Sequence, residues 1–498
     1  MKSIIIYIAM ATGIFLLLPA CNKSKLDLLP HGPTELSYFT EEADFTKAVI
    51  GVYAKMNDAY WFRGSGWSCT VPIFILMGDD ITTTEDEDFE TFGRIQPSNS
   101  RLSDFYKVWY QLIARANVVL EKIEQEDGIY TTAGLKNAHK GEALFLRAYS
   151  FYILWNYYGT SPLNTTRITS SDQFTPPGTK GTELLDQAIL DFEEAATLLP
   201  DSWDETNRGR VTKNSARGML GKSLVFRASV NKTAEDYTSA ITAFDAISGI
   251  SLVANFGDNF AYDTENNSES LFEYQSTQAF AFNNVWLSND FDNAIGNLAV
   301  FWGFYDGNWG LFGKQPFSAT DKLAAAFEDG DPRKELTLDG TNKMVRKYVL
   351  RNKLDQVGVG SINNPRLLRY ADVLLLKAEA VLQSGGNTAT AIGLINQVRT
   401  RARSMGGGAV PADYPATEAD KTVVMNWIMN ERFLELSAEG QRWLDLRRWH
   451  MQGLITLNNA FFSSRSTTMS FEAPKHLLLP IPNIERDVNP NVEQNTGY

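Results

Sequence analysis

Residues 427–449 read WIMNERFLELSAEGQRWLDLRRW, and this segment determines how we interpret the rest of the chain. Apolar residues recur at helical spacing from Val423 to Leu434. Gly440 tolerates the left-handed conformation in which many helices end. We therefore predict one helix that runs up to Gly440, and a second short helix at residues 442–450 that folds back on the first.

Three glutamates, Glu431, Glu435 and Glu439, lie four residues apart on the first helix. On one stripe their charges repel unless cations face them. We expect those cations from the arginines of the same segment, which are Arg432, Arg442, Arg447 and Arg448. A carboxylate metal site is the alternative, but such sites in helix bundles also use a Glu-x-x-His pair, and this helix has no histidine within reach. We favour an arginine–glutamate network that fixes a helix hairpin.

Three segments of the chain resemble the SusD/RagB family of surface-exposed outer-membrane lipoproteins, which bind nutrients for a partner transporter. They read ERFLELSAEGQRWLDLRRW at residues 431–449, RLLRYADVLLLKAEAVL at 366–382, and LLLPIPNIERDVNPNVEQNTGY at 477–498. The resemblance implies a mainly α fold. In that fold, four degenerate tetratricopeptide-like helix pairs form a superhelix, and an irregular, loop-rich insert carries the ligand site.

A short pattern within the chain supports the helix pairs. A small residue is followed one turn later by a large one at residues 116–123, 188–195, 240–247 and 391–398. This arrangement lets neighbouring helices approach and interlock, as tetratricopeptide-type pairs require. We predict helix pairs at about 103–160, 180–248, 365–405 and 420–452.

Residues 216–223, ARGMLGKS, nearly match a phosphate-binding loop. However, Ala216 replaces the first glycine of that motif, and no strand is predicted before it. We attribute Gly218 and Gly221 instead to close packing between helices.

The first 20 residues have the pattern of a signal peptide. They carry one charge, Lys2, and an apolar run from Ile4 to Leu18 that is too short and too close to the N-terminus for a membrane span. The sequence from Leu18 to Cys21 resembles a lipobox, which implies cleavage before Cys21 and acylation of that cysteine. Together with the resemblance to the SusD/RagB family, this lipobox implies an outer-membrane, lipid-anchored protein that faces the cell exterior.

The remainder is predicted to be a tether at residues 21–40 and one domain at 41–498. The chain has 46 basic and 59 acidic residues, a net charge of -13 and no basic run, which argues against nucleic acid as a partner. Its four histidines lie outside any Gly-x-Ser-x-Gly or His-Glu-x-x-His motif, so we predict that the protein is not an enzyme. Carboxylate pairs for glycoside hydrolysis are numerous, but nothing singles out one pair.

The insert at about 249–363 is rich in aromatic residues interleaved with Asn, Asp and Gly. Twelve aromatic residues lie between Phe272 and Phe312. Sugars present C–H faces and a rim of hydroxyl groups, so their sites need flat aromatic rings together with a few polar groups. The family holds its ligands with loop aromatics, and the matching stretches here are 60–80 and 286–309. The predicted ligand-binding residues are Trp302, Tyr305, Trp309, Trp286, Trp61, Trp67, Asp79 and Asp80. The alternative is that these aromatic rings fill the core of an irregular domain.

We therefore expect a glycan- or oligosaccharide-binding lipoprotein that delivers its ligand to a TonB-dependent, SusC-like outer-membrane transporter, as the resemblance implies. One alternative is a helical-repeat protein that binds peptide or glycoprotein ligands in a groove between helix pairs. Another is a surface glycosidase, which would release product from a polysaccharide.

Overall fold

The computed structural model describes residues 38–59, 62–63, 68–83, 88–276, 317–348, 363–463 and 469–498, and these form a mainly helical protein. The helices are α1 (Glu42–Ala59), α2 (Val71–Ile75), α3 (Asp88–Thr91), α4 (Ser100–Gln125), α5 (Leu135–Tyr157), α6 (Glu183–Leu198), α7 (Lys213–Asn231), α8 (Ala234–Asp245), α9 (Asp321–Ala326), α10 (Arg333–Thr337), α11 (Tyr370–Gln383), α12 (Thr388–Gly406), α13 (Lys421–Leu436), α14 (Arg442–Gln452) and α15 (Asn483–Val488). The strands are β1 (Phe62–Arg63), β2 (Ser68–Cys69), β3 (Ile81–Thr83), β4 (Ser270–Glu273), β5 (Phe317–Ala319) and β6 (Arg366–Arg369). The predicted mainly α fold is confirmed. No helix among the described residues has both the length and the apolar character needed to cross a membrane.

Helix α1 forms because its apolar residues share one face. Phe45, Val49, Val52 and Met56 are all buried, as their spacing of three and four residues predicts. Tyr53, which we also predicted for the buried stripe, is partly exposed. The acidic residue Asp44 lies in the first turn, at the positive end of the helix dipole. Its carboxylate also accepts a hydrogen bond from the backbone N–H of Thr40, which fixes the start of the helix.

Helix α5 is the centre of the first half of the protein. Every residue from Gly141 to Gly159 is buried, which is the pattern of a helix covered on all sides. Helices α4 and α6 both pack against it, and α7 and α8 follow in a layer in which consecutive helices are in contact. The predicted range 103–160 thus contains α4 and α5, whereas the range 180–248, predicted as one pair, contains three helices.

The second half continues the helical layer. Helix α11 packs against α8, α12 and α13, and α14 packs against α7. The alanines that begin the repeated pattern, Ala116, Ala188, Ala240 and Ala391, are all fully buried. Small residues therefore lie at the helix contacts, as the pattern predicts. The assignment of the helices to tetratricopeptide-like pairs stays a prediction.

The glycines of the segment that resembles a phosphate-binding loop lie inside helix α7. A Cβ atom on Gly221 would lie 2.4 Å from the ring of Phe244 on α8, which confirms close packing between helices. A Cβ on Gly218 would meet Leu368 of β6 at 2.7 Å, so its neighbour is a strand rather than a helix. The lysine of the segment, Lys222, is buried and forms an ion pair with Asp372 at 2.7 Å.

The helix hairpin predicted around Gly440 is present, but its first helix ends earlier than expected. Helix α13 stops at Leu436, and a turn with Ala438 and Gly440 in the left-handed conformation (φ of 59° and 75°) leads to α14. Alanine rarely adopts this conformation. Here the carboxylate of Asp80 accepts the backbone N–H of Ala438 at 2.9 Å, and this contact with a distant segment stabilises the turn.

Within the described residues, the strands form three small two-stranded antiparallel sheets, which pair β1 with β2, β3 with β5, and β4 with β6. The β4–β6 sheet joins the start of the insert to the strand that precedes α11. The β3–β5 sheet joins the early segment of the chain to the insert.

Candidate ligand-binding site

The predicted aromatic ligand-binding residues and the predicted lipidation site Cys21 lie outside the described residues, and their roles stay predictions. The aromatic residues are Trp61, Trp67, Trp286, Trp302, Tyr305 and Trp309. The two predicted acidic residues, Asp79 and Asp80, lie within the described residues. The structure also describes the strands that follow both predicted ligand-binding stretches, and these strands define the candidate site.

The β3–β5 sheet connects the two stretches that the sequence predicts to bind ligand. Strand β3 directly follows the early stretch at 60–80, and β5 begins at Phe317, soon after the aromatic-rich part of the insert, which ends at Phe312. The strands run antiparallel, with Ile81 opposite Ala319 and Thr83 opposite Phe317. Segments that are more than 200 residues apart in sequence therefore attach to the protein at one sheet.

Asp79 fixes this sheet to the helical part of the protein. Its carboxylate is fully buried and accepts hydrogen bonds from Arg442 Nε at 2.5 Å and Lys322 Nζ at 2.5 Å. Its backbone carbonyl accepts the hydroxyl of Thr320 at 2.8 Å. Burial by itself raises the pKa of Asp79, but the charges of Arg442 and then Lys322 outweigh it and lower the pKa to about 2. Asp79 is therefore ionised and joins the start of β3, α9 and α14.

Asp80 is buried beside Asp79 but is held differently. One of its oxygens accepts the N–H of Ala438, and the other has no hydrogen-bond partner among the described residues. Burial raises the pKa of Asp80 to about 6; the hydrogen bond from Ala438 opposes this shift, and the charge of Asp79 adds to it. Both acidic residues are thus engaged by groups of this protein, and their assignment as ligand contacts stays a prediction.

The arginine–glutamate network predicted for the hairpin is confirmed, but the predicted partners were wrong. The cations that pair with Glu431, Glu435 and Glu439 come from α10, β6, α12 and the segment that ends at Tyr348. These cations are Arg333, Lys347, Arg369, Arg399 and Arg401. Charged residues on one face of a helix pair with the segments that pack against that face. The spacing of residues along α13 does not show which distant segments those are.

The arginines that we expected to serve this stripe face other groups. Arg432 pairs with Asp372 at 2.7 Å and Asp445 at 2.8 Å, while Arg442 pairs with Asp79. Arg448 pairs with Glu379 and Asp445, and Arg447 donates to the backbone carbonyl of Leu477. These contacts tie α14 to α11 and to the C-terminal segment.

Glu435 lies at the centre of the network. Burial raises its pKa, but the charges of Arg401, Arg369 and Arg333 outweigh the burial and hold the pKa well below its usual range. Burial lowers the pKa of Lys347 to about 8, against the opposing charge of Glu439. One of these partners could have been suspected from the sequence, because Arg369 lies in the RLLR part of the motif segment at 366–382.

The buried network of paired charges and the β3–β5 sheet form a frame that connects the helix hairpin to segments next to both predicted ligand-binding stretches. Comparison with known proteins found matches to two family models. The model of the SusD family matches residues 331–498, which include all three motif segments. A second model, described as starch-binding associating with outer membrane, matches residues 50–224.

The chain belongs to the SusD/RagB family. It is 25% identical to SusD-like protein P2 of Formosa agariphila, over 98% of this chain and 99% of that protein. It is 24% identical to a SusD-like protein of Bacteroides ovatus, over 90% of this chain and 83% of that protein.

Solved structures show the same fold. A SusD superfamily protein from Bacteroides vulgatus superposes with a TM-score of 0.71 at 26% identity, covering 93% of this chain and 100% of that one. A laminarin-binding SusD-like protein superposes with a TM-score of 0.73 at 22% identity, covering 92% and 100%. Surface glycan-binding protein A from Bacteroides fluxus gives a TM-score of 0.72 at 20% identity, covering 94% and 100%.

Proposed function

We propose that the protein is a cell-surface lipoprotein that captures an oligosaccharide and delivers it to a TonB-dependent, SusC-like transporter in the outer membrane. The observation that carries this proposal is the pairing of β3 with β5, because it attaches the early stretch and the aromatic insert to one rigid sheet. The family description as starch-binding, and the glycans named for two proteins of the same fold, support a saccharide ligand.

In this proposal the ligand lies against the aromatic rings of the two loop stretches. The residues are Trp61, Trp67, Trp286, Trp302, Tyr305 and Trp309. Indole and phenol rings stack on the C–H faces of sugars, and neighbouring Asn, Asp and Gly residues leave room for hydroxyl groups at the rim. The buried ion pairs below the β3–β5 sheet keep the attachment points of these loops fixed, so less free energy is spent on ordering them when ligand binds.

Anchoring at Cys21 and the tether at residues 21–40 place the binding protein next to its transporter. Tethering raises the effective concentration of captured ligand at the transporter entrance, so modest affinity suffices for delivery. Several acyl chains on one cysteine, at about 0.8 kcal/mol per buried CH₂, would make this attachment effectively permanent.

Affinity gel electrophoresis of the soluble chain from Asn22 tests the proposal. A panel of neutral and acidic polysaccharides, including starch and laminarin, is cast into native gels, and we expect retarded migration with at least one of them. In parallel, the same polysaccharides are incubated with the protein, and we expect no new reducing ends. Free migration in every gel would contradict glycan binding, and product release would favour a glycosidase.

A further inference from the structure

A groove crosses the turn between α6 and α7, at residues 206–211, on the described surface of the protein. On one side of the turn it has a volume of about 260 Å³ and is lined by α1, including Ile50, Tyr53 and Met56. On the other side it has a volume of about 320 Å³ and is lined by Trp203 and by hydroxyl and amide side chains. Residues 208–210 line both sides, so the turn forms a ridge between two neighbouring depressions, which we together call the groove.

The ridge is held in place by tight packing and by hydrogen bonds. Gly209 has a φ of 95°, and a Cβ atom there would lie 2.4 Å from the side chain of Gln275. Glycine thus lets the turn lie directly against the end of β4. Arg210 donates to both oxygens of Glu142, at 2.7 and 2.5 Å, and to the side chain of Asn207 at 2.8 Å. The ridge is therefore preorganised.

One aromatic ring lies on each side of the ridge, and both rings are fixed at their edges. The hydroxyl of Tyr53 donates to Glu142 at 2.9 Å and accepts the N–H of Val211 at 3.0 Å. Trp203 Nε1 donates to the carbonyl of Val211 at 2.9 Å, and the guanidinium of Arg210 lies 3.9 Å from the centre of its ring. Both rings are partly exposed. A fixed and partly exposed ring can stack on a sugar at little entropic cost.

The groove is electrically balanced. Each charged side chain that lines it has an oppositely charged partner within 3.6 Å. The pairs are Asp201 with Lys213, Arg208 with Glu205, Arg210 with Glu142, and Glu273 with Arg366. The other polar groups are hydroxyls and amides, such as those of Ser202, Thr206 and Asn267. This surface suits a neutral ligand rich in hydroxyl groups.

Two of the segments that line the groove lead, along the chain, towards the predicted ligand-binding stretches. Met56 lies in the last turn of α1, which ends at Ala59 and leads into the stretch at 60–80. Gln275 also lines the groove and lies near the start of the aromatic-rich part of the insert, Phe272–Phe312. The groove is therefore adjacent, along the chain, to the segments that carry the predicted loop aromatics.

We propose that this groove is a second saccharide-binding region, which takes neutral sugar units of the same glycan beyond those held by the loop aromatics. The inference rests on the proposed glycan binding and extends it. It assigns Tyr53 and Trp203 as the two stacking rings and the Gly209 ridge as the divider between two sugar positions.

Affinity as a function of chain length tests the inference. Short and long oligosaccharides of the polysaccharide retained in the gels, starting with laminarin and starch, are titrated into wild type, Trp203→Ala and Ile50→Arg by calorimetry. Ile50 is 44% exposed at the edge of the groove, so the arginine is tolerated and obstructs the Tyr53 side. Leu190→Arg is the matched control, since Leu190 is a 57% exposed helical residue that does not line the groove.

We expect the long oligosaccharide to bind wild type and Leu190→Arg about 100-fold more tightly than the short one, at about tenfold for each of the two stacked rings. Trp203→Ala removes one of these rings and Ile50→Arg obstructs the other, so in each variant that advantage should fall to about tenfold, with the affinity for the short oligosaccharide unchanged. An unchanged advantage in both groove variants would overturn the inference while leaving glycan binding intact, as would retention by acidic polysaccharides alone. If wild type binds no glycan, the proposed function fails and the inference fails with it.

Discussion

Arg442 donates from Nε to the buried carboxylate of Asp79 at 2.5 Å, and its Nη2 lies 3.2 Å from the second oxygen. This contact joins the helix hairpin of the family motif to the segment that leads into β3. Lys322 reaches the same carboxylate from α9, just after β5. One aspartate therefore holds together the hairpin and both strands that carry the predicted ligand-binding loops.

Removal of the two cations should have unequal effects on stability. Arg442 is 11% exposed and Lys322 is 38% exposed. Arg442→Ala removes the main partner of the buried Asp79 carboxylate and should lower the free energy of unfolding by about 3 kcal/mol. Lys322→Ala should lower it by about 1 kcal/mol, because solvent screens this pair. Urea unfolding followed by tryptophan fluorescence measures both, and equal losses would contradict the assigned role of Arg442.

Asp80 should make the protein more stable as the pH falls towards 5. Its pKa in the folded protein is raised to about 6 from 3.8, so between these values the folded state binds a proton that the unfolded state does not. Between pH 8 and pH 5 this contributes about 1.4 kcal/mol of added stability. Asp80→Asn should lack that contribution while keeping the hydrogen bond from Ala438. The difference between wild type and variant unfolding free energies across this pH range is the measurement, and a difference independent of pH would contradict the prediction.

The buried charge network should be intolerant of truncation. Arg369 contacts Glu269, Glu435 and Glu439 and is 1% exposed. Arg369→Ala removes a cation that these three buried carboxylates share, and it should lower the free energy of unfolding by about 3 to 5 kcal/mol. The control is Lys47→Ala, whose side chain is 63% exposed in its pair with Asp44, so its loss should leave the unfolding free energy nearly unchanged. If the two variants unfold at the same denaturant concentration, the network does not hold the hairpin in place.

Two helical glycines should respond to alanine in opposite directions. At Gly221 a Cβ atom would lie 2.4 Å from the ring of Phe244, so Gly221→Ala should force α7 and α8 apart and cost about 1 to 3 kcal/mol. Gly393 lies on the exposed face of α12 with open space around it, so Gly393→Ala should stabilise the protein by about 0.5 to 1 kcal/mol. Thermal unfolding followed by circular dichroism distinguishes the two. A stabilised Gly221→Ala would contradict the close helix contact.

Local patterns were sufficient to predict the elements that local physics determines. The stripe of α1 and the buried alanines of the repeated pattern follow from helical spacing alone. The hairpin of α13 and α14 was also predictable, because its turn glycine and its periodicity lie within one segment. These features require no knowledge of distant residues.

The predictions were wrong where residues distant in sequence determine the end of a helix or the partner of a charged side chain. Helix α13 ends before the predicted position because Asp80 binds the N–H of Ala438, and nothing near residue 438 indicates this. The partners of Glu431 and Glu435 come from α10 and α12, which only the packed structure brings together. The pairing of Thr83 with Phe317 was likewise not visible in the sequence, although both predicted loop stretches adjoin it.

We propose that aromatic residues of the two predicted ligand-binding stretches bind a glycan. Calorimetric titration of the retained oligosaccharide into wild type and the double variant Trp302→Ala, Trp309→Ala tests it most directly. Loss of two stacking rings should weaken affinity by about 100-fold, at about 1.4 kcal/mol per ring, with an unchanged unfolding temperature. Equal affinity for wild type and the double variant would contradict the account of the site.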